Sequence, residues 1–486
     1  MLAVCAVGLV VASCGFDAHT RPGRDCEVVG SLPRIRPDYC GVTLPPNIAP
    51  LNFLVEEKGA GYFVRIAAVQ GTPIEVAGRT PQIVIPERPW RRLLAANRGG
   101  TLNIEVFVRA AATDGAAARW RRFETIQNTI APDEIDRYIV YRRIRPGHAT
   151  WREMGIYQRD LSGFEEKAIL TNDYLKDGCL NCHAFTDNRT DAMSIALRSG
   201  DFGSPALLIE GGRISKIATK FGYTSWHPSG KVVAFSVNQV HQVFRSAASE
   251  IRDVFDSDSV ITYYRTDSRS VKTAPPLSRK DRLETYPAWS PDGRFLYFCS
   301  APVTWDDLHA IPDKLEEIRY DLVRVSYDLD TDTWGQLETV VSAQEAGKSL
   351  LLPRVSPDGR WLLVATCDYG CFPVYRAVSD LCLIDLDEFA RTDRPKLRRL
   401  DANSDASESW HSFSRNGRWI AFSSKRLSHI FTRTYLAYVD EQGRAHKPIL
   451  LPQKNPRFYD SCLWTFSLPE LVTEPIRASR TQLARA

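Results

Sequence analysis

Four segments in the second half of the chain repeat one pattern, and this repetition constrains the fold more than any other feature. Each segment has an apolar or aromatic start, a turn containing glycine, and a strand of alternating apolar residues. The segments are YTSWHPSGKVVAFS (223–236), YPAWSPDGRFLYFCS (286–300), LPRVSPDGRWLLVAT (352–366) and WHSFSRNGRWIAFSS (410–424). Glycine tolerates the positive φ that a tight hairpin turn requires, so each segment predicts a β-hairpin.

Each hairpin is followed by a second pair of strand-like runs, such as LVRVSYDLDTDTWGQL after the second segment. Two hairpins make a four-stranded blade, and blades bury both faces when they stack in a ring. The sequence therefore predicts a mainly β fold, a β-propeller over residues 205–470 with about five to seven blades. ALLIEGGRISKI (206–217) is interpreted as part of an earlier, degenerate blade, and residues 471–486 as a C-terminal tail.

The chain before the repeats divides into three segments. Residues 15–45 are polar with scattered arginine and proline, which predicts a tether. Alternating runs such as YFVRIAAV (62–69) and TLNIEVFVRA (101–110) predict a small β domain of sandwich type over residues 46–142. Residues 143–204 carry little strand signal and some helical spacing, so we expect a short connector of helices and loops there.

The N-terminus has features of a bacterial export signal. Residues 2–13, LAVCAVGLVVAS, are uncharged and mostly small and apolar, but they are too few for a membrane span, which needs about 20 residues. Small residues before Cys14 resemble a lipobox, so residues 1–14 predict a lipoprotein signal peptide and lipidation of Cys14. No basic residue precedes the apolar run, which leaves cleavage without lipid or a different start as alternatives.

These features predict an exported protein on the periplasmic side, held to the membrane by a lipid anchor. By analogy with lipoprotein sorting, Gly15 after the cysteine favours the outer membrane. The formal net charge is only +4 over 486 residues, without a long run of one sign, so a nucleic-acid partner is not expected. Cys26 with Cys40, and Cys367 with Cys371, are candidate disulfides in an oxidising compartment.

One short motif carries chemistry. In KDGCLNCHAF (176–185), Cys179 and Cys182 lie three residues apart and His183 follows directly. The C-x-x-C-H spacing is that of covalent haem attachment, in which two thiols form thioethers with the porphyrin vinyl groups and the histidine is the proximal iron ligand. We therefore expect one covalent haem c at this motif.

Two other interpretations of the motif stay open. A structural zinc site needs four ligands, and the second pair available, Cys367 and Cys371, lies in a different predicted blade. A redox disulfide of the C-x-x-C type is typical of a βαβ setting, which the sequence around Cys179 does not predict.

The second axial ligand of the iron is less well defined. Met193, ten residues after His183, is the first candidate, and Met154 is the other methionine near the motif. Core packing is the alternative role for both methionines. The further candidates are His148, His227 and His411, and an open iron site is an alternative to all of them.

The repeat WSPDGRFLYF resembles that of the periplasmic protein TolB, over residues 205–465. Further stretches, including YIVYRRIRPG, MGIYQRDL, CLNCHAF and YFCSAP, resemble a narrower group of exported bacterial proteins in which TolB-like repeats follow a single c-type haem motif. That resemblance spans most of residues 46–470. It implies an architecture and a cofactor, and it does not imply a reaction.

These observations favour a monohaem electron-transfer lipoprotein that docks a redox partner protein, rather than a catalyst. One alternative is a haem-dependent oxidoreductase with its site in the propeller channel. Another is a propeller scaffold for protein interactions, in which the haem is secondary.

Overall fold

The computed structural model describes residues 21–23, 25–111, 119–145, 153–175, 178–199, 203–244, 252–305, 307 and 311–485. The predicted signal peptide, with Cys14, lies outside the described residues, and so does His148.

Short strands and one helix form the N-terminal region. They are β1 (Glu27–Val28), β2 (Ile35–Arg36), β3 (Thr43–Leu44), β4 (Phe53–Val55), β5 (Gly61–Ala67), β6 (Ile74–Gly78), β7 (Gln82–Ile83), α1 (Glu87–Ala96), β8 (Thr101–Arg109), β9 (Trp120–Arg122) and β10 (Ile126–Ile130). Seven strands form one sheet around β8, while β2, β4 and β7 form a second sheet. In β10 alternate residues are buried, so one face of that strand packs on the core.

This region begins earlier than the sequence predicts. Residues 15–45, the expected tether, contain β1, β2 and β3, and β1 and β3 pair in parallel with β9 and β10. Strands of two residues are too short to show a period-2 pattern, so their sequence is indistinguishable from that of a loop.

The remaining strands form the blades. The strands are β11 (Tyr138–Ile144), β12 (Met154–Asp160), β13 (Glu166–Thr171), β14 (Cys179–Thr186), β15 (Arg189–Arg198), β16 (Ala206–Glu210), β17 (Arg213–Ile217), β18 (Thr224–Trp226), β19 (Val232–Phe244), β20 (Arg252–Arg265), β21 (Ser270–Lys272), β22 (Arg282–Trp289), β23 (Phe295–Pro302), β24 (Asp321–Asp328), β25 (Thr333–Val341), β26 (Ser349–Val355), β27 (Trp361–Cys367), β28 (Asp380–Asp385), β29 (Arg398–Arg399), β30 (Glu408–Phe413), β31 (Trp419–Ser424), β32 (Arg433–Tyr438), β33 (Ile449–Leu450) and β34 (Thr465–Val472). The helices in this region are α2 (Ala343–Ala346), α3 (Leu386–Thr392), α4 (Phe458–Ser461) and α5 (Arg480–Arg485).

Within the described residues these strands make six four-stranded antiparallel sheets. We number the blades in chain order: blade 1 contains β11–β13 with β34, and blades 2 to 6 contain β14–β17, β18–β21, β22–β25, β26–β29 and β30–β33. The first strand of each of blades 2 to 5 contacts that of the next blade, and β34 of blade 1 contacts both β14 and β30. This closed ring is a β-propeller, as the repeats predict, with a blade count inside the expected range.

The ring closes through the C-terminus. β34 pairs antiparallel with β11, with Tyr138 opposite Val472 and Ile144 opposite Thr465. Blade 1 therefore takes its innermost strand from one end of the propeller sequence and its other three strands from the opposite end. Because of this closure, blade 1 packs between blades 2 and 6, and neither blade 1 nor blade 6 is left at an open end of the ring.

The segment expected to be a connector, residues 143–204, differs from its sequence prediction. It contains β12 and β13 of blade 1 and β14 and β15 of blade 2. The helical spacing around MGIYQRDL is overridden because β12 pairs with β11 and β13, in a sheet that β34 completes from about 300 residues away in the sequence. The C-x-x-C-H motif consequently lies inside the propeller.

The N-terminal region packs on blade 6. Trp419 donates from Nε1 to the carbonyl of Asp133 at 3.1 Å, and Tyr438 donates to the Asp133 carboxylate at 2.8 Å. Apolar residues of both regions belong to one continuous buried cluster. No helix among the described residues is long and apolar enough to span a bilayer.

Candidate functional site

The motif lies on β14, the innermost strand of blade 2, and the strand is irregular there. Leu180 pairs with Leu197 and His183 pairs with Ile195, so Asn181 and Cys182 together oppose the single residue Ala196. This extra residue is a β-bulge, which interrupts the alternation of side chains along a strand. Residues three apart on a regular strand point to opposite faces, and the bulge lets Cys179 and Cys182 face the same side.

Both cysteines line one cavity of about 510 Å³ at one end of the propeller axis. This volume is in the range of cavities that bind cofactors and small molecules. The aromatic residues of its lining are Tyr223, Phe244, Phe372, Tyr375 and Trp410. The cavity therefore has a largely apolar wall beside the two thiols.

The same cavity is strongly basic. Six cationic residues line it: Arg142, Arg145, Arg198, Lys220, Arg252 and Lys425. None of the described residues in its lining is an aspartate or a glutamate. A concave wall with one sign of charge concentrates the field inside it, so the cavity favours an anionic ligand.

The thiols are free and shielded from solvent. Cys179 is buried, and Cys182 is half-buried. Desolvation raises the pKa of Cys182 to about 11 and also raises the pKa of Cys179, although Arg142 and Arg198 act in the opposite direction on both thiols. At neutral pH both groups are therefore protonated thiols.

His183 faces a different space from the cysteines. Its imidazole lines a cavity of about 40 Å³ in the axial channel, which adjoins the large cavity at the shared lining residues Cys182, Tyr223 and Trp410. His183 is 1% exposed and neither ring nitrogen has a hydrogen-bond partner of normal geometry. A buried imidazole without partners costs about 1–3 kcal/mol and calls for a functional explanation.

Desolvation is the main reason why the pKa of His183 falls to about 3, with repulsion from Arg142 as a further cause. The imidazole is therefore neutral at physiological pH, the state in which its nitrogen lone pair can bind a metal.

Six pairs of consecutive residues, one from each innermost strand or the residues just before it, surround the channel cavity. The pairs are Cys182–His183, Tyr223–Thr224, Tyr286–Pro287, Leu352–Pro353, Trp410–His411 and Leu468–Pro469. Four of the first residues have positive φ without being glycine: Tyr286 (56°), Leu352 (56°), Trp410 (46°) and Leu468 (54°). A positive φ is uncommon outside glycine, and residues with this conformation cluster at functional sites. We call the narrow part of the channel that these six pairs surround the constriction; its recurring backbone conformation suits a functional site.

The channel continues to the other end of the propeller past a partly buried ion pair. Arg354 donates to the Glu470 carboxylate at 2.5 Å, and both residues line the constriction and a further cavity of about 260 Å³ beyond it. Burial raises the pKa of Glu470, and Arg354 opposes this effect.

The candidate distal ligands are placed differently. Met193 is fully buried among apolar residues and is absent from the lining of the large cavity, so its position fits the core-packing role. Met154 does line the large cavity, and its sulfur accepts a hydrogen bond from the Leu180 amide at 3.0 Å. His411 faces the channel, whereas His227 packs on Trp289 between blades.

Cys26, Cys40, Cys367 and Cys371 are all free thiols, so neither candidate disulfide is formed. Among the described residues, no group of three or more histidine, cysteine, aspartate or glutamate side chains converges in a way that would bind a metal ion.

A long hairpin forms one wall of the large cavity. β19 and β20 have 13 and 14 residues, and their ends contribute Phe244 and Arg252 to the lining. Asp253 is buried beside Arg376 of blade 5, in an ion pair, and also accepts a hydrogen bond from the Tyr369 hydroxyl at 3.2 Å. These contacts fix the blade 3 hairpin to a loop of blade 5.

Sequence reasoning did not identify the basic and aromatic lining of this cavity. Its residues come from blades 1, 2, 3, 5 and 6 and share no spacing. Two lining residues could have been identified from the sequence. Tyr223 and Trp410 both occupy the first position of a repeat segment, which predicts equivalent places in their blades.

No protein-family model matches the chain, and no curated protein matches it. An oligogalacturonate lyase from Vibrio parahaemolyticus is similar over 80% of this chain and 100% of its own, with 15% identity and a TM-score of 0.35. A puromycin hydrolase is similar over 64% of this chain, with 14% identity and a TM-score of 0.36, and the match covers 45% of that enzyme. A luciferin-regenerating enzyme is similar over 64% of this chain and 91% of its own, with 12% identity and a TM-score of 0.36.

Proposed function

We propose that this chain binds one haem c covalently in the large cavity and transfers electrons to or from a redox partner protein. The observation that carries the proposal is that the bulge in β14 turns both thiols of the C-x-x-C-H motif into one cavity of about 510 Å³. A regular strand would separate Cys179 from Cys182.

The residues present fit this group in three respects. Two free thiols would form the thioethers, and the aromatic wall around Tyr223 and Trp410 would contact the porphyrin. The cations of the lining match the negative charge of the porphyrin carboxylates. His183, which is neutral and whose ring nitrogens have no hydrogen-bond partner of normal geometry, would supply the iron ligand from the channel that adjoins the cavity at Cys182.

When bound, the haem supplies one-electron exchange between ferric and ferrous iron. The chain's own residues then bind and shield it. The apolar and aromatic side chains limit water in the cavity, and such a shell controls the reduction potential. Phe244 and Ile430 line the cavity with 52% and 65% of their surface exposed, which leaves an edge that a partner protein can approach.

Covalent haem attachment takes place outside the cytoplasm, which agrees with the export signal predicted for residues 1–14. We accordingly propose a periplasmic-side lipoprotein anchored through Cys14, at the outer membrane. Labelling with a radioactive fatty acid, lost in Cys14→Ala, tests the anchor.

A visible spectrum of protein from a host that matures c-type haem tests the cofactor. We expect covalent haem in the wild type, detected as a haem stain on the denatured chain, and none in Cys182→Ala. Cys299→Ala, which alters a buried thiol outside the cavity lining, is the matched control and should keep the stain. A stain that persists in Cys182→Ala would contradict the proposal.

A haem-dependent oxidoreductase is the second candidate, and the channel gives one observation in its favour. His411 and the Arg354–Glu470 pair place polar groups in the space next to the cavity. An enzyme of this kind needs an iron position open to an exogenous ligand. Rapid binding of carbon monoxide to the reduced protein would favour the enzyme, and its failure to bind would favour electron transfer.

A further inference from the structure

The wall of the large cavity that faces the motif across the propeller axis is built by a different set of residues. In a ring of six blades, blade 5 lies opposite blade 2, which carries Cys179 and Cys182. The loop before β28 of blade 5 contributes Phe372, Val374 and Tyr375 to the cavity.

Two cations lie at this far wall. Arg252, at the end of the long hairpin, donates from Nη1 to the Tyr375 hydroxyl at 3.3 Å, and its guanidinium stacks 5.6 Å from the Tyr375 ring centroid. Lys425, from the adjacent blade 6, lines the cavity and is 5% exposed. Arg142 and Arg198, in contrast, act directly on the pKa of both thiols and so belong to the motif side.

The shape of the porphyrin relates these two walls. A haem carries its two vinyl groups on one edge and its two propionate groups on the other. With the vinyl edge bonded to Cys179 and Cys182 of blade 2, the propionate edge is directed across the axis toward blade 5. Carboxylates removed from bulk water require charged partners, and guanidinium and ammonium groups are suitable ones.

We propose that Arg252 and Lys425, together with the Tyr375 hydroxyl, bind the propionate carboxylates of the haem. This inference rests on the proposed function. It assigns the far wall a role in holding the cofactor and in setting its reduction potential. A cation beside the haem disfavours the extra positive charge of ferric iron, so it raises the potential.

The test is a redox titration of haem-loaded protein with four single variants and one double variant, Arg252→Gln with Lys425→Gln. Arg252→Gln and Lys425→Gln remove one charge each, and Arg252→Lys keeps the charge. Arg213→Gln, on the exposed outer strand of blade 2, is the control for removal of a surface charge. We expect a lower midpoint potential in the two charge-removing cavity variants, a further fall in the double variant, and wild-type behaviour in Arg252→Lys and Arg213→Gln.

Covalent haem with an unchanged potential in both Arg252→Gln and Lys425→Gln would overturn this inference and leave the proposed function intact. The absence of covalent haem from the wild type would overturn both. A charge-removing variant that loses all haem while Arg252→Lys retains it would support the inference, because the charge alone separates those two proteins.

Discussion

Cys182 and Trp410 occupy matching positions at the innermost strands of blades 2 and 6, and each is followed by a histidine that faces the axial channel. Both residues also line the large cavity. They therefore mark the junction between the cavity that contains the thiols and the channel that contains His183 and His411. The two histidines can be compared directly, since only one of them belongs to the motif.

We expect His183→Ala to keep covalent haem, because the thioethers come from the cysteines, and to change the visible spectrum of the reduced protein, because the iron loses a nitrogen ligand. His411→Ala is the matched variant and should leave that spectrum unchanged. If the two variants have the same spectrum as the wild type, His183 is not an iron ligand.

The two methionines near the motif should respond differently to the same substitution. Met193→Leu conserves volume in an apolar cluster, so we expect a cost below about 1.5 kcal/mol and an unchanged visible spectrum. Met154→Leu removes the sulfur that accepts from the Leu180 amide, between the two cysteines, and should alter the spectrum by shifting the motif. Loss of a sulfur-ligation band in Met193→Leu would instead support the ligand predicted from the sequence.

His411 should make stability depend on pH. Burial lowers its pKa in the folded protein from 6.5 to about 3, so between these values the unfolded chain binds a proton that the folded chain does not. The stability of the wild type therefore falls as the pH drops below about 6.5, by roughly 2–3 kcal/mol at pH 4.5 relative to His411→Gln. Denaturant unfolding of both proteins at several pH values measures this difference, and parallel pH profiles would contradict it.

The ion pair between Asp253 and Arg376 should hold the cavity wall in place. Both side chains are nearly buried, at 5% and 7% exposure, so Arg376→Met leaves a buried carboxylate without this guanidinium and is expected to cost about 3–5 kcal/mol. Adding Asp253→Asn removes that charge and should recover part of the loss.

Thermal unfolding and proteolysis of the hairpin check this prediction. Lys314→Met, which breaks an exposed pair with Glu317, should have no measurable effect. Equal stability of Arg376→Met and the wild type would show that the pair does not fix the hairpin.

Much of the propeller could be predicted because its blades repeat a glycine turn such as that at Gly293 within a fixed pattern of strands. Blade 1 could not, since β11 and its partner β34 are far apart in the sequence and neither contains that turn. The spacing of Cys179, Cys182 and His183 was enough to identify the C-x-x-C-H motif and to predict haem attachment.

Where those side chains point was not predictable. The bulge that turns Cys182 into the cavity depends on how β14 pairs with β15, and no local pattern encodes it. The positive charge of the cavity could not be predicted from the sequence either. Arg252 and Lys425 belong to different blades, and only the folded ring brings them to the same cavity.

Closure of blade 1 by β34 also determines when, during synthesis, the ring of blades can be completed. During synthesis the motif emerges roughly 280 residues before the strand that completes the neighbouring blade. Until that last strand arrives, β14 has one side without its neighbour, and the thiols are accessible from the side of blade 1 as well as through the mouth beside Ile430. If haem is attached as we propose, the order of synthesis would give the attaching machinery an interval in which to reach Cys179 and Cys182, and the arrival of β34 would end that interval.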